Sequence, residues 1–208
     1  MIKKGYTLSE VLITLGVIGV ISALTLPTLI HAHKKYVIEN KLKKVYSLMN
    51  QAIKISEAEY GEVSTWSEFN DNMSIDNRLE LFNKYIGKNL HIIKSEKFDD
   101  YAIIYLKDTG ILRLNKTATI GYYLDKKYIN NTTKGVNYFN FRFNPSEYKE
   151  KDKYQYGKGF EPYSFDWDGT EDALYNARYG CAKSNHNYCT KLIQYNGWKI
   201  PDNYPLKF

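Results

Sequence analysis

From Val11 to Ile30 the chain runs without a charged side chain, and Glu10 stands immediately before that run. A helix rises about 1.5 Å per residue, so roughly twenty apolar residues suffice to cross the hydrocarbon core of a bilayer. The segment is of membrane length, and a carboxylate at its lip is costly unless a cation or a hydrogen-bond donor answers it. Two ordinary explanations leave something over. A removable secretory signal has a basic start, an apolar core of roughly 7–15 residues and small residues at the cut. Lys3 and Lys4 give the basic start, but Thr7, Ser9 and Glu10 interrupt before the apolar run, and Pro27, Thr28 and Leu29 make no small-x-small site. A plain membrane anchor accounts for the length and leaves Glu10 to snorkel towards the headgroups.

The third explanation is a likeness. The stretch Lys3-Lys4-Gly5-Tyr6-Thr7-Leu8-Ser9-Glu10-Val11-Leu12-Ile13, followed by Gly16, Gly19 and Pro27, combines a short basic leader ending in Gly, an aromatic residue, a Glu four residues on and a late Pro. In these features the chain resembles the N-terminus of type IV pilins and of the pseudopilins of type II secretion. Tyr6 stands where those families usually have Phe, and Ser9 where they usually have a large aliphatic residue. The resemblance implies that a membrane prepilin peptidase cuts between Gly5 and Tyr6 on the cytoplasmic side and methylates the new amine of Tyr6. It also implies inner-membrane assembly machinery and homologous subunits as partners, a filament as the product, and Glu10 and Pro27 as assembly residues.

Elementary electrostatics gives that likeness a mechanism. After the cut, a charged amine on Tyr6 precedes Glu10 by four residues, or about 6 Å of helix rise. Neighbouring helices staggered by that amount or a little more bring the amine of one against Glu10 of the next inside an apolar bundle, where attraction is strong and a missing partner is expensive. Pro27 has no amide hydrogen for the carbonyl of Ala23, so it is expected to bend the helix or loosen one turn. Gly16 and Gly19, with Thr14, Ser22, Ala23 and Thr25, form a small-residue face for close helix packing, without a complete GxxxG pattern.

Beyond the span, Ile38, Leu42, Val45, Met49 and Ala52 recur at helical spacing and draw a single apolar stripe. The helix is therefore expected to continue to Tyr60, with Gly61 as its stop, over a length of roughly 80 Å from Tyr6. Its outer half then needs the rest of the chain to pack on. Lys34, Lys35, Lys41, Lys43, Lys44 and Lys54 fall mostly off the stripe and read as a solvated face, and His31 and His33 as interfacial residues. Taken with the resemblance, the expected organisation is a leader over 1–5, a transmembrane and assembly helix over 6–30, an amphipathic continuation over 31–60 and a globular extracytoplasmic domain over 61–208, carried once through the cytoplasmic membrane.

In the globular part the pattern predicts a helix over Asp76 to Ile86 with Leu79, Phe82 and Ile86 inward, stopped at Gly87. Tyr101 to Leu106 and Ile111 to Leu114 flank Lys107-Asp108-Thr109-Gly110 and read as a hairpin; Thr117 to Leu124 and Val136 to Phe143 read as further strands. The expected fold class is α+β, a long helix laid against an antiparallel sheet, as in pilins. The chain holds 20 tyrosines, which are expected mainly to pack the sheet. Loss of Lys3 and Lys4 leaves 27 basic residues against 23 acidic ones, and the globular part shows no concentrated cluster of basic and aromatic residues, so nucleic acid is not the expected partner. A membrane-anchored protein that binds DNA or carbohydrate without forming filaments is the alternative.

Cys181 and Cys189 lie in the part expected outside the cytoplasm and are expected to be bridged. A metal site from Cys181, His186 and Cys189 lacks a fourth ligand. Ser164-Phe165-Asp166-Trp167-Asp168-Gly169-Thr170 loosely fits a calcium loop through Asp166 and Asp168, but position 12 is Tyr175, which supplies no carboxylate. Some major pseudopilins hold calcium in a C-terminal loop, which keeps that ion under consideration. The competing role for Asp168 or Thr170 is to cap a helix over Glu171 to Arg178. A further short helix is read over Tyr188 to Asn196, ended by Gly197, with Trp198 and Ile200 pinning the tail to the core. No HExxH, GxSxG or phosphate-cradling glycine loop is present, so no cofactor and no enzymatic activity are expected.

Overall fold

Helix α1 (Leu8–Tyr60) is 53 residues long and carries Pro27 within it. The computed structural model describes residues 5, 7–66, 73–107, 109–145, 150–155 and 158–208. They fall into two units, one ending at Val37 and one running Ile38–Lys207, so the division lies inside α1. In the first unit the apolar side chains from Leu8 to Ile30 are exposed. This part of α1 reaches a mean hydropathy of 2.1 with none of that stretch buried, and by length and composition it is sufficient to cross a membrane.

The second unit begins where α1 becomes amphipathic. Ile38, Leu42, Val45, Met49 and Ala52 are all buried, as the stripe predicts, and Ile53 and Ser56 extend it. Gly61, with φ at +80°, ends the helix in the left-handed conformation, and its N–H returns to the Glu57 carbonyl at 3.0 Å. Polar joints fix this half of α1 to distant parts of the chain. Glu39 accepts from Lys199 Nζ at 2.7 Å and from the Ile200 N–H at 2.9 Å. Asn50 donates to the Phe160 carbonyl and accepts from the Phe160 N–H, both at 2.9 Å. Lys41 departs from its expected solvated role: it is half-buried and donates to the Leu124 carbonyl at 2.6 Å.

Helix α2 (Ile75–Tyr85) starts at Ser74, whose side chain accepts from the Asn77 N–H. Its inward face is Ile75, Arg78, Phe82 and Tyr85, with Leu79 only half-buried. Phe82 and Ile86 are buried as expected, and the face widens beyond them because Arg78 reaches the Lys116 carbonyl at 3.1 Å and the Tyr85 ring stacks on Trp66 with centroids 4.5 Å apart. Gly87 opens a 3-10 turn over Gly87–Asn89, and the chain then enters the sheet.

Six strands follow in chain order, each antiparallel to the next: β1 (Ile92–Lys97), β2 (Tyr101–Leu106), β3 (Gly110–Asn115), β4 (Thr119–Tyr123), β5 (Tyr138–Arg142) and β6 (Glu161–Pro162). The four expected strands are present within a residue or two of their predicted limits. The β2–β3 hairpin is in register from Leu106↔Gly110 to Tyr101↔Asn115, with Asp108 of its turn outside the described residues. Strands β1 and β6 were not expected. The first is a charged edge, Ile-Ile-Lys-Ser-Glu-Lys, mostly exposed and so without alternation; the second is two residues long.

The sheet has two different faces, as the period of two requires. Ala102, Ile104, Leu112, Leu114, Ile120, Tyr122, Phe139 and Phe141 are fully buried on one. Phe141 stacks at 4.3 Å on Phe160, the residue bound by Asn50, which ties this face to α1. The opposite face carries a smaller cluster of Ile103, Ile111, Tyr123 and Tyr138. Beside it Arg142 makes a two-pronged ion pair with Asp152, Nε to Oδ1 and Nη2 to Oδ2 each at 2.9 Å, both side chains almost wholly buried. After the sheet come α3 (Glu171–Asn176) and α4 (Cys189–Tyr195), the latter followed by Gly197 with φ at +67°. Ile200 is buried, and Trp198 packs on Tyr46 of α1 with ring centroids 4.8 Å apart.

Candidate functional site

At its N-terminal end α1 closes on itself. The Thr7 carbonyl accepts from the Val11 N–H, which makes Thr7 the residue that caps the helix. The Thr7 N–H and hydroxyl both donate to Glu10 Oε2 at 2.8 Å, and the Glu10 N–H donates back to Thr7 Oγ1 at 3.3 Å. This is a capping box, in which a threonine and a glutamate three residues on satisfy each other's otherwise unpaired donors. Thr7-Leu8-Ser9-Glu10 is the sequence signature of that motif, so reading Glu10 only as a membrane acid misses half its chemistry. The carboxylate is exposed yet already held, and it also lies where the helix dipole favours negative charge.

The other expected assembly residues lie along the same helix. Gly5 is exposed; Tyr6, the expected site of cleavage and methylation, lies outside the described residues. A Cβ on Gly16 or Gly19 would meet nothing within 4 Å, so both glycines leave the helix surface open to close approach. Thr14 donates its hydroxyl to the Val11 carbonyl and Thr25 to the Ile21 carbonyl, each at 2.9 Å, so both hydroxyls are satisfied within the helix itself. The α-helix continues through Pro27.

The C-terminal features are separate from this end of α1. Cys181 and Cys189 form a disulfide, as expected. A loop of that size stabilises the fold by about 2.5 kcal/mol on the chain-entropy estimate. His186, inside the loop, uses Nδ1 on the Cys181 carbonyl at 2.7 Å. The two acids considered for calcium are engaged locally. Asp166 pairs with Lys151 at 3.6 Å, and Asp168 accepts from the Thr170 N–H and hydroxyl, both at 2.8 Å, which holds its carboxyl below the usual range. Thr170 in turn caps α3 by accepting from the Ala173 N–H. Among the described residues no group of three or more His, Cys, Asp or Glu side chains converges as a metal site would require.

Comparison with known proteins places the family but not its role. The chain belongs to a family of unknown function, DUF6613, which it matches over residues 28–208. That match begins one residue after Pro27 and so leaves the capped, apolar end of α1 outside it. No curated protein and no solved structure matches the chain.

Proposed function

We propose that this member of DUF6613 is a structural, non-catalytic filament subunit of the type IV pilin and secretion-pseudopilin kind. It is cut between Gly5 and Tyr6 by prepilin peptidase, held as a single-pass protein of the cytoplasmic membrane with residues 61–208 on the far side, and drawn by the inner-membrane assembly machinery into a polymer of homologous subunits. The observation that carries this reading is Glu10 at the head of an apolar helix whose side chains find no cover among the described residues of the chain. Bare apolar surface of that extent is stable only against lipid or another protein. The disulfide supports an oxidising location for the C-terminal part.

In the stored subunit Glu10 is answered by Thr7. In the polymer the stronger partner is the charged amine of an adjoining Tyr6, buried among apolar helices where the ion pair is least screened. The capping box allows charge to be tested apart from hydrogen bonding, because Gln serves in that motif as well as Glu. Glu10→Gln is expected to insert into the membrane with its helix intact and to enter filaments at least about tenfold less than the native chain. Unimpaired assembly of Glu10→Gln would sink the charge mechanism. Mass spectrometry of the mature chain is expected to find methylated Tyr6 at its start; an intact Met1 would leave only an ordinary anchored protein.

A further inference from the structure

The face of the sheet that carries the smaller aromatic cluster also holds a polar hollow of about 490 Å³, lined from β3, β4 and β5 and from the loops that follow β4 and α3. That size lies within the roughly 300–1,000 Å³ of sites for small molecules. Register explains why polar groups meet there: Arg113, Gly121 and Asn140 are paired across three adjacent strands and so project from one face. A Cβ on Gly121 would collide with the Tyr138 hydroxyl, so the glycine lets the Tyr138 ring lie across the floor.

Charge sets this hollow apart. It contains Arg113 and Lys134 and, among its described lining residues, no Asp or Glu. Arg113 is half-buried, donates from Nε to Asn115 at 3.1 Å and lies 4.0 Å from the centroid of the Tyr101 ring. Lys134 is half-buried too, and it donates to a neutral group, Asn187 Oδ1 at 3.5 Å. Burial and the neighbouring charge of Arg113 hold its ammonium below the ordinary lysine range. Two like charges drawn partly out of water raise each other's cost. The same face shows what the fold does when it neutralises a cation, for Arg142 is given Asp152. The hollow is also built rigidly. Asn140 donates to Asn187 at 2.8 Å, and Asn187 lies within the disulfide loop.

We propose that this hollow binds a small oxyanion carried on a hydroxyl-rich body, a uronic acid or a sugar phosphate, with Arg113 and Lys134 on the anion and the asparagine amides and tyrosine hydroxyls on the hydroxyls. Charge-assisted bonds from a guanidinium and an ammonium suit a carboxylate or a phosphate equally. The site lies wholly in the unit Ile38–Lys207 and is independent of whether the chain assembles.

The test is calorimetric titration of the full chain in detergent micelles with galacturonate, glucose 6-phosphate and neutral galactose. At least one of the two anions is expected to bind at least about tenfold more tightly than galactose, and whichever binds tighter identifies the anion. Lys134→Met and Arg113→Gln are expected to weaken that binding about tenfold or more, and Lys134→Arg, which keeps the charge, to retain it. A merely structural pair of cations would lower thermal stability in these variants and leave affinity unchanged. Galactose bound as well as the anions, no anion bound at millimolar concentration, or Lys134→Met bound like the native chain would each overturn the proposal.

Discussion

Individual side chains in this protein hold distant segments together chiefly through groups that are unaffordable alone and stable in pairs. Arg142 and Asp152 are the sharpest case, with Asn144 Nδ2 adding a third bond to Asp152 at 3.2 Å. Removing one member of a buried ion pair leaves an uncompensated charge, whereas replacing both with apolar residues is often tolerated. Asp152→Ala is expected to lower unfolding free energy by about 3–5 kcal/mol in urea titration, and the double change Arg142→Met with Asp152→Leu to recover most of that loss. If the double variant is no more stable than Asp152→Ala alone, the pair is not held by charge. No local pattern announces such a partnership, since Asp152 ends a short 3-10 turn (Glu150–Asp152) beyond the strand that carries Arg142. Thr7 and Glu10 are the reverse, three residues apart and legible as a motif.

At the level of elements, periodicity carried the reading well wherever one face was buried. The stripe from Ile38 to Ala52 was legible because burial of one helix face imposes a repeat of 3.6, and the β2–β3 hairpin because a turn signal separates two runs of β-prone residues; in β5 both faces are buried, with Asn140 and Arg142 on the second. Strand β1 was not legible, because an exposed edge with three charged residues imposes no repeat. The inward face of α2 was legible at Phe82 and Ile86 but not at Arg78 and Tyr85, which a carbonyl at Lys116 and a ring at Trp66 draw inward, neither partner being near in sequence. The hollow around Arg113 was likewise invisible, because its residues come together only through strand register. The clamp between α1 and the segment before β6 rests on Asn50, which satisfies the Phe160 N–H and carbonyl at once. Asn50→Ala leaves both groups unpaired in a partly buried place, so it is expected to cost about 1–3 kcal/mol. It is also expected to speed hydrogen exchange at the Phe160 amide more than at strand amides in β3; equal effects everywhere would mean that α1 and the sheet open only as one.

For the molecule as a whole, apolar exposure is concentrated on the segment from Leu8 to Ile30, while Ile38–Lys207 has a core of its own. A fragment from Ile38 to Phe208 is therefore expected to be monomeric and soluble without detergent and to keep the near-ultraviolet circular dichroism of the intact chain, which measures its packed tyrosines and tryptophans. A fragment that aggregates or loses that signal would show that the first unit is needed for the fold. The sheet's plain order has a consequence for how this unit forms. Strands β1 to β4 lie side by side in the order of synthesis with only short turns between them, so this part of the meander is of the kind that forms early, whereas β5 and β6 wait on longer connections. Glu39 has the opposite problem, since Lys199 and Ile200 are 160 and 161 residues away along the chain. Closing so long a loop is paid for late, and a nascent chain still missing its C-terminal residues would hold a finished sheet and an unfastened helix, with the final stretch acting as the bolt.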